Sequence, residues 1–121
     1  MAVQPILLIG NKKLREKSRK VSFEKDPVRE IITDLRDTLY HFQKEKNTGR
    51  AIAAIQIGHP LQIIFSEINN RQIIMINPEI IHSSPEKFTV WDSCFCADVA
   101  FYGKVARHEL ISVSYFTEQQ N

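Results

Sequence analysis

One amphipathic segment, residues 26–46, constrains the fold of this chain more than any other feature. Asp26 suits an N-cap and Pro27 suits the first helical position, where its missing N–H costs nothing. Asn47-Thr48-Gly49 follows as a stop, because Gly49 can adopt left-handed backbone angles. The apolar residues recur at spacings of three and four, namely Val28, Ile31, Ile32, Leu35, Leu39 and Phe42. This pattern predicts one helix with a single buried face.

Short segments rich in isoleucine fill the rest of the chain and predict strands. Residues 61–66 and 72–77 are separated by Asn69-Asn70-Arg71, which predicts a hairpin, and Pro78 is expected to end the second strand. Residues 79–82 and 88–91 would form a further pair, and the alternation over residues 111–115 predicts a half-buried strand. One helix with a mostly antiparallel sheet gives an α+β class. A chain of 121 residues is long enough for a core and short enough for a single domain, residues 1–121.

Composition excludes several classes of function. The hydrophobic share of 43%, the charged share of 25% and the net charge of +2 are typical of an ordinary globular domain. A basic stretch, residues 12–20, has no interleaved aromatic residues and is interpreted as a solvated face. We therefore expect neither a nucleic acid nor a membrane as partner. No signal peptide or apolar run of about 20 residues is visible, and two cysteines spaced two residues apart favour reduced thiols. These features favour a cytoplasmic location.

Two positions carry the chemistry that the residues themselves indicate. Gln56 is an uncharged amide in an apolar segment, and its N–H₂ could donate to an oxygen that gains negative charge during amide attack. Cys94 is a good ligand for Zn²⁺ or Fe²⁺, and the backbone N–H of Phe95 could be a second donor. Each position also has a purely structural interpretation. A buried cysteine often only packs, and a glutamine often satisfies a neighbouring backbone group.

The two blocks that contain these residues resemble the first two signature blocks of the peptide deformylase family, G-h-G-h-A-A-x-Q-h-G and E-G-C-L-S. In this chain they read Gly49-Arg50-Ala51-Ile52-Ala53-Ala54-Ile55-Gln56-Ile57-Gly58 and Asp92-Ser93-Cys94-Phe95-Cys96. Similarity extends to three further segments in the family's order, namely residues 5–10 followed by Leu14-Arg15, then Asn77-Pro78-Glu79-Ile80, and then Gly103-Lys104-Val105-Ala106-Arg107.

The resemblance implies a fold, a reaction and roles for residues. The family removes the formyl group from N-formylmethionyl nascent polypeptides with a divalent metal, Fe or Zn. By similarity, Gln56 and the Phe95 amide would bind the formyl oxygen, and Cys94 would be the first metal ligand. Gly49, Arg50 and Ala51 would pair with the backbone of the peptide, whose N-terminus would be the partner. Ala51 replaces the family's second glycine, so we expect its methyl group to crowd that peptide.

The family's third block, HExxH, is not found in these 121 residues. His108-Glu109-Leu110-Ile111-Ser112 begins like it, but a serine stands where the second metal ligand would be. The stretch also leads into a strand pattern, where residues i and i+4 lie about 13 Å apart instead of on one helical face. We therefore expect a deformylase-like fold that lacks the C-terminal metal-binding helix and does not retain a metal by itself.

Three functional hypotheses follow. The chain is an inactive member of the family, either naturally truncated or a piece of a longer polypeptide. Alternatively, a longer parent chain or a partner supplies the metal helix and the protein is an active deformylase. In the third hypothesis, the chain is a non-catalytic module whose groove binds peptide N-termini or recruits a ribosomal partner. Without the metal helix, we expect partial exposure of Ile52, Ile55, Ile63 and Val113, which predicts self-association into a homo-oligomer.

Overall fold

The computed structural model describes residues 3–8, 10–46, 50–92, 103–108 and 111–117. A first 3₁₀-helix, Lys12–Arg15, precedes helix α1, Val28–Lys46, and a second 3₁₀-helix, Ala54–Ile57, follows strand β1, Ala51–Ala53. The other strands are β2 Ile63–Ile68, β3 Arg71–Ser83, β4 Lys87–Asp92, β5 Gly103–His108 and β6 Ile111–Phe116. One helix and antiparallel sheets confirm the α+β prediction.

Helix α1 buries the stripe that its sequence predicts. Its residues Ile31, Ile32, Leu35 and Leu39 are at most 2% exposed, while Phe42 is half-buried. The stripe packs against the inner face of the sheet, whose buried residues are Ile52, Ile63, Phe65 and Ile76. Each such side chain contributes about 1.5–3 kcal/mol by leaving water, so this interface is the core of the domain. Among the described helices, none is long and apolar enough to span a bilayer.

Asp26 does not act as the helix cap that the sequence predicts. Its carboxylate accepts hydrogen bonds from the Ser22 N–H at 2.8 Å and from the Arg19 guanidinium at 2.8 and 3.0 Å. The hydrogen bond from Arg19 is the main cause that lowers the pKa of Asp26 to about 2. The helix begins at Val28, with Pro27 supplying the carbonyl to the Ile31 N–H. Asp26 therefore fastens the segment before the helix rather than the helix itself.

The main sheet has the order β1-β2-β3-β6, with every pair antiparallel. Strands β2 and β3 form the predicted hairpin, with Ile68 opposite Arg71. Its two turn residues, Asn69 and Asn70, have φ angles of 53° and 63°. Positive φ at both positions is the type I′ turn that matches the twist of a hairpin, and asparagine tolerates it.

Two predictions about the later strands are wrong. Strand β3 continues through Pro78 to Ser83, because the pairing register shifts between Ile76 and Glu79 and the irregularity accommodates the proline. Its distal half pairs with β6, whereas β4 pairs with β5 in a separate two-stranded sheet. Residues 79–82 and 88–91 therefore do not pair with each other as expected.

Asn77 holds the N-terminal arm onto the sheet. Its side-chain oxygen accepts from the Val21 N–H at 2.7 Å, and its side-chain nitrogen donates to the Val21 carbonyl at 3.3 Å. Val21 is buried. Asn77 itself has a φ of 53°, a left-handed conformation that asparagine adopts more readily than most residues.

The Asn77→Ala variant is expected to lose about 2–3 kcal/mol of unfolding free energy. Two hydrogen bonds at about 1 kcal/mol each are lost, and alanine is strained at positive φ. Asn69→Ala is the matched control, because Asn69 has the same φ of 53° and its side chain bonds to no described residue. Urea denaturation of both variants isolates the contribution of the two bonds. Equal losses would show that only the backbone strain matters.

The expected exposure of the sheet is partly wrong. Ile52 and Ile63 are each 1% exposed because helix α1 covers them, and Ile55 and Val113 are half-buried. The most exposed large apolar side chains among the described residues lie instead at the far end of the β3–β6 ribbon, where Ile80 is 63% and Ile81 is 64% exposed. Self-association stays a prediction.

Candidate functional site

Strand β1 is an edge of the main sheet, and its hydrogen bonding fixes which of its groups face outward. The Glu67 N–H donates to the Arg50 carbonyl at 2.8 Å, and the register then places Ile52 opposite Phe65. The direction of backbone hydrogen-bonding groups alternates along an antiparallel strand, so the N–H and carbonyl groups of Ile52 face β2. The N–H and carbonyl groups of Ala51 and the N–H of Ala53 therefore point away from β2, toward an edge that no described strand covers.

Gln56 uses one of these outward groups. Its side-chain oxygen Oε1 accepts from the Ala53 N–H at 2.9 Å. The second 3₁₀-helix, which follows β1 directly, places Gln56 three residues after Ala53 and returns its side chain to the edge. Since Oε1 of the planar amide accepts from the Ala53 N–H, Nε2 lies on the other side of the amide carbon and is directed away from that N–H. This bond selects which end of Gln56 is presented as a donor.

The backbone around Gln56 is also held in place. The Gln56 carbonyl accepts from the Leu7 N–H at 2.8 Å, so the N-terminal arm crosses this turn. Gly58 ends the 3₁₀-helix with a φ of 95°, which only glycine adopts without strain, and its N–H bonds back to the Ile55 carbonyl at 3.1 Å. The half-buried Gln56 thus sits on a rigid turn, as a preorganised donor requires.

The methyl group of Ala51 is placed differently from the sequence-based expectation. Ala51 is exposed, whereas its neighbour Ile52 is buried against helix α1. Successive side chains of a strand point to opposite faces, so the methyl group lies on the face away from the helix. It stands perpendicular to the direction in which β1 hydrogen-bonds. The methyl group therefore does not obstruct backbone pairing at the edge, and it would contact only those side chains of a bound peptide that lie on the same face.

A polar network behind Arg50 was not apparent from the sequence. Tyr40 of helix α1 is hydrogen-bonded to Glu67 and accepts from the Gln72 side chain at 2.5 Å. The hydrogen bond to Glu67, together with burial, raises the pKa of Tyr40. Glu67 is the residue whose N–H holds the Arg50 carbonyl, so the network connects the helix to the start of the edge strand. The pairing of Glu67 with Gln72 across β2 and β3, and the packing of helix α1 on the sheet, bring these residues together.

The structure thus brings Arg50, Ala51 and Gln56 together at one edge. The other predicted site residues, Gly49, Cys94 and Phe95, lie outside the described residues. Their roles as peptide-binding backbone, metal ligand and second oxyanion donor stay predictions.

The described residues do not fit a hydrolytic metal, which needs three protein ligands. Within the described ranges, no three His, Cys, Asp or Glu side chains form a group that could hold an ion. His41 bonds to Glu45 of its own helix at 3.0 Å. His108 ends strand β5 and Ser112 lies in strand β6, opposite His82. The stretch from His108 to Ser112 is therefore strand at both ends, as the sequence predicts, and not a metal-binding helix.

Comparison with known proteins identifies the family. The family model described as "Polypeptide deformylase" matches residues 3–121. The chain belongs to the peptide deformylase family. Among curated deformylases, peptide deformylase 2 of Clostridium acetobutylicum is 34% identical over 118 residues, which are 98% of this chain and 75% of that protein. The Brucella suis enzyme is 28% identical over 121 residues, covering 96% of this chain and 66% of its own length. The chain thus spans about two thirds of several curated deformylases.

Solved deformylase structures have the same fold. A Legionella pneumophila peptide deformylase superposes with a TM-score of 0.86 at 27% identity, covering 98% of this chain and 68% of that one. The Thermotoga maritima enzyme gives a TM-score of 0.88 over 100% of this chain and 78% of that one. Its identity of 22% supports the fold alone. The α+β deformylase-like fold expected from the signature blocks is confirmed.

Proposed function

We propose that this chain carries the peptide-binding edge and the oxyanion-binding amide of a peptide deformylase, and that residues 1–121 alone do not complete the catalytic site. The substrate is an N-formylmethionyl peptide, and the family reaction is hydrolysis of its formyl group. The observation that carries the proposal is the hydrogen bond from the Ala53 N–H to Gln56 Oε1. It places a side-chain amide donor beside the outward-facing backbone of Ala51.

The geometry supports a division of roles at this edge. An extended peptide would add to β1 as a further strand, using the N–H and carbonyl groups of Ala51, as in other cases of β-augmentation. Gly49 would continue this pairing, whereas Arg50, whose carbonyl accepts from the Glu67 N–H, would hold the edge onto β2 between them. Gln56 Nε2 and the Phe95 N–H would then donate to the formyl oxygen as it gains negative charge. Pairing to backbone groups fixes the orientation of the peptide without reading its side chains.

Catalysis requires groups that the described residues do not bring together. Cys94 would be one ligand of the family's Fe or Zn ion, but no HExxH sequence in the 121 residues supplies two imidazoles and a general base. We therefore propose that this chain alone neither retains the metal nor turns over substrate. We also propose a cytoplasmic location, where formylated nascent chains are made.

The Ala51→Pro variant tests the peptide-binding edge. Proline removes the outward N–H of Ala51 but no bond to β2, and edge strands tolerate it there. We expect peptide affinity to fall by about tenfold or more, since one hydrogen bond is lost and the ring obstructs pairing. The measurement is a calorimetric titration with formyl-Met-Ala-Ser peptide, accompanied by urea denaturation to confirm the fold.

Ala51→Gly is the matched control. Its affinity for the peptide is expected to stay within about threefold of that of the unsubstituted protein, because the backbone groups are unchanged. Unaltered binding by Ala51→Pro would contradict pairing at this edge. If the unsubstituted protein shows no saturable binding to either formylated or free Met-peptides, the peptide-binding role itself is wrong.

The second candidate function is an active deformylase completed by a longer parent chain or by a partner. The lengths of the relatives favour this second candidate. In several curated deformylases about one third of the protein lies outside the region that matches this chain. In that case the same edge and the same amide would act, and only the source of the imidazoles would differ.

A further inference from the structure

The charge of this chain is concentrated in one segment, residues 12–20, which we call the basic segment. It contains six lysines and arginines and a single acid, Glu16. The rest of the chain has ten lysines and arginines against thirteen aspartates and glutamates. The net charge of +2 therefore conceals a strongly basic segment on an otherwise mildly acidic protein.

The basic segment is fastened to the domain rather than loosely attached. The Arg19 N–H donates to the Pro60 carbonyl at 3.0 Å, and the Arg19 carbonyl accepts from the Gln62 N–H at 3.0 Å. The Gln62 side chain donates to the Ser18 carbonyl at 3.1 Å. At the other end, the Asn11 side chain caps the first 3₁₀-helix by accepting from the Lys13 N–H at 2.9 Å. The backbone that carries the cations is thus ordered before any partner binds, which lowers the entropic cost of binding.

Most of these cations are available to a partner. Arg19 is taken by Asp26. The other five side chains are exposed and form no ion pair within the described part of the chain, namely Lys12, Lys13, Arg15, Lys17 and Lys20. They lie within eight residues of one another, a chain length that spans at most about 27 Å.

The neighbouring residues narrow the class of partner. The segment contains one apolar residue, Leu14, which is half-buried, so it has no exposed apolar anchor for insertion into a membrane. It contains no aromatic residue, so it offers no platform on which unpaired bases could stack. Clustered cations without stacking or apolar anchors suit the phosphate backbone of a duplex, which is bound through charge alone.

We propose that the basic segment docks this protein onto the phosphate backbone of structured RNA. This proposal differs from the expectation drawn from composition that no nucleic acid binds, and it rests on the ordered backbone and on five cations that form no ion pair with the described residues. The choice of RNA rests on the proposed function: a formylated nascent peptide is made at the ribosome, whose surface is largely duplex RNA. Docking there would bring the β1 edge near its substrate.

Fluorescence anisotropy with a labelled 20-base-pair RNA hairpin tests the proposal. Binding should weaken with added KCl, with a slope of log K against log salt of about −3 to −4 if four or so phosphates are contacted. The triple variant Lys12→Gln, Lys13→Gln, Lys17→Gln should bind at least about tenfold more weakly. The control variant Lys44→Gln, Arg71→Gln, Lys87→Gln removes the same charge from exposed positions elsewhere and should change affinity by less than about threefold.

Other outcomes would overturn the proposal. Equal weakening by the two triple variants would indicate a diffuse charge effect. Equal affinity for single-stranded poly(U) would remove the argument for a duplex, and binding only to vesicles with anionic lipid would assign the segment to membranes. The Ala51→Pro variant should bind RNA like the parent, so loss of the peptide-binding edge and loss of RNA docking are separable.

Discussion

Purified protein of residues 1–121 is expected to release no formate from formyl-Met-Ala-Ser above the buffer rate. It is also expected to contain less than about a tenth of an equivalent of iron, nickel or zinc, since a hydrolytic metal needs three protein ligands. A discontinuous formate assay and metal analysis of the same sample check both points. A near-stoichiometric metal with turnover would contradict the proposed incompleteness of the site.

A fusion that appends a family-type HExxH segment after residue 121 extends this test. If only the imidazoles and the base are missing, the fusion should gain metal and activity. In that fusion Gln56→Ala should lower kcat/KM by about 10²–10³, the usual effect of removing one oxyanion donor. Gln43→Ala, a glutamine of helix α1, is the control and should retain activity. A fusion that binds metal but stays inactive would point instead to the altered residues around Ala51 and Cys94.

The Phe65→Ala variant should show the largest loss of stability, about 3–5 kcal/mol. Phe65 is 0% exposed, its ring meets Tyr40 edge-on with 6.3 Å between centroids, and the Arg36 guanidinium lies 5.5 Å from its centre. Truncation leaves a cavity between the helix and the sheet and removes both ring contacts. Urea denaturation measures the loss, and a domain with total stability near the lower end of about 5–15 kcal/mol would be largely unfolded.

Ile68→Ala on the same strand is the control for Phe65. Ile68 is 46% exposed at the end of β2, so its truncation should cost less than about 1 kcal/mol. Similar losses for the two variants would contradict the assignment of the core to the interface between α1 and the sheet.

The elements that the sequence predicted correctly are those set by local patterns. The helix follows from the spacing of its apolar stripe, and the β2–β3 hairpin follows from Asn69-Asn70, because both depend on neighbouring residues. The pairing of β3 with β6 could not be predicted in this way, since about thirty residues separate the two strands. Pro78 was misleading because a register irregularity at Asn77, invisible in composition, lets a proline remain inside a strand.

The same distinction between local patterns and long-range pairing applies to the candidate site. Gln56 was found because it is an amide in an apolar segment and because the family motif contains it, and the structure adds the bond that orients its amide. The outward direction of the Ala51 backbone depends on the register of β1 against β2, which a single strand does not encode. The supporting network of Tyr40 and Glu67 gave no signal either, because its members come together only across the interface between helix and sheet.

The brevity of strand β1 has a consequence for selectivity. Strand β1 has three residues. The backbone groups of Ile52 face β2 and the Ala53 N–H is bonded to Gln56, so within this strand Ala51 alone offers both its N–H and its carbonyl to a bound peptide. Backbone pairing over so few residues does not discriminate between most peptide sequences. The proposed role in binding N-formylmethionyl peptides would benefit from this lack of selectivity, because a longer edge would favour some peptide sequences over others.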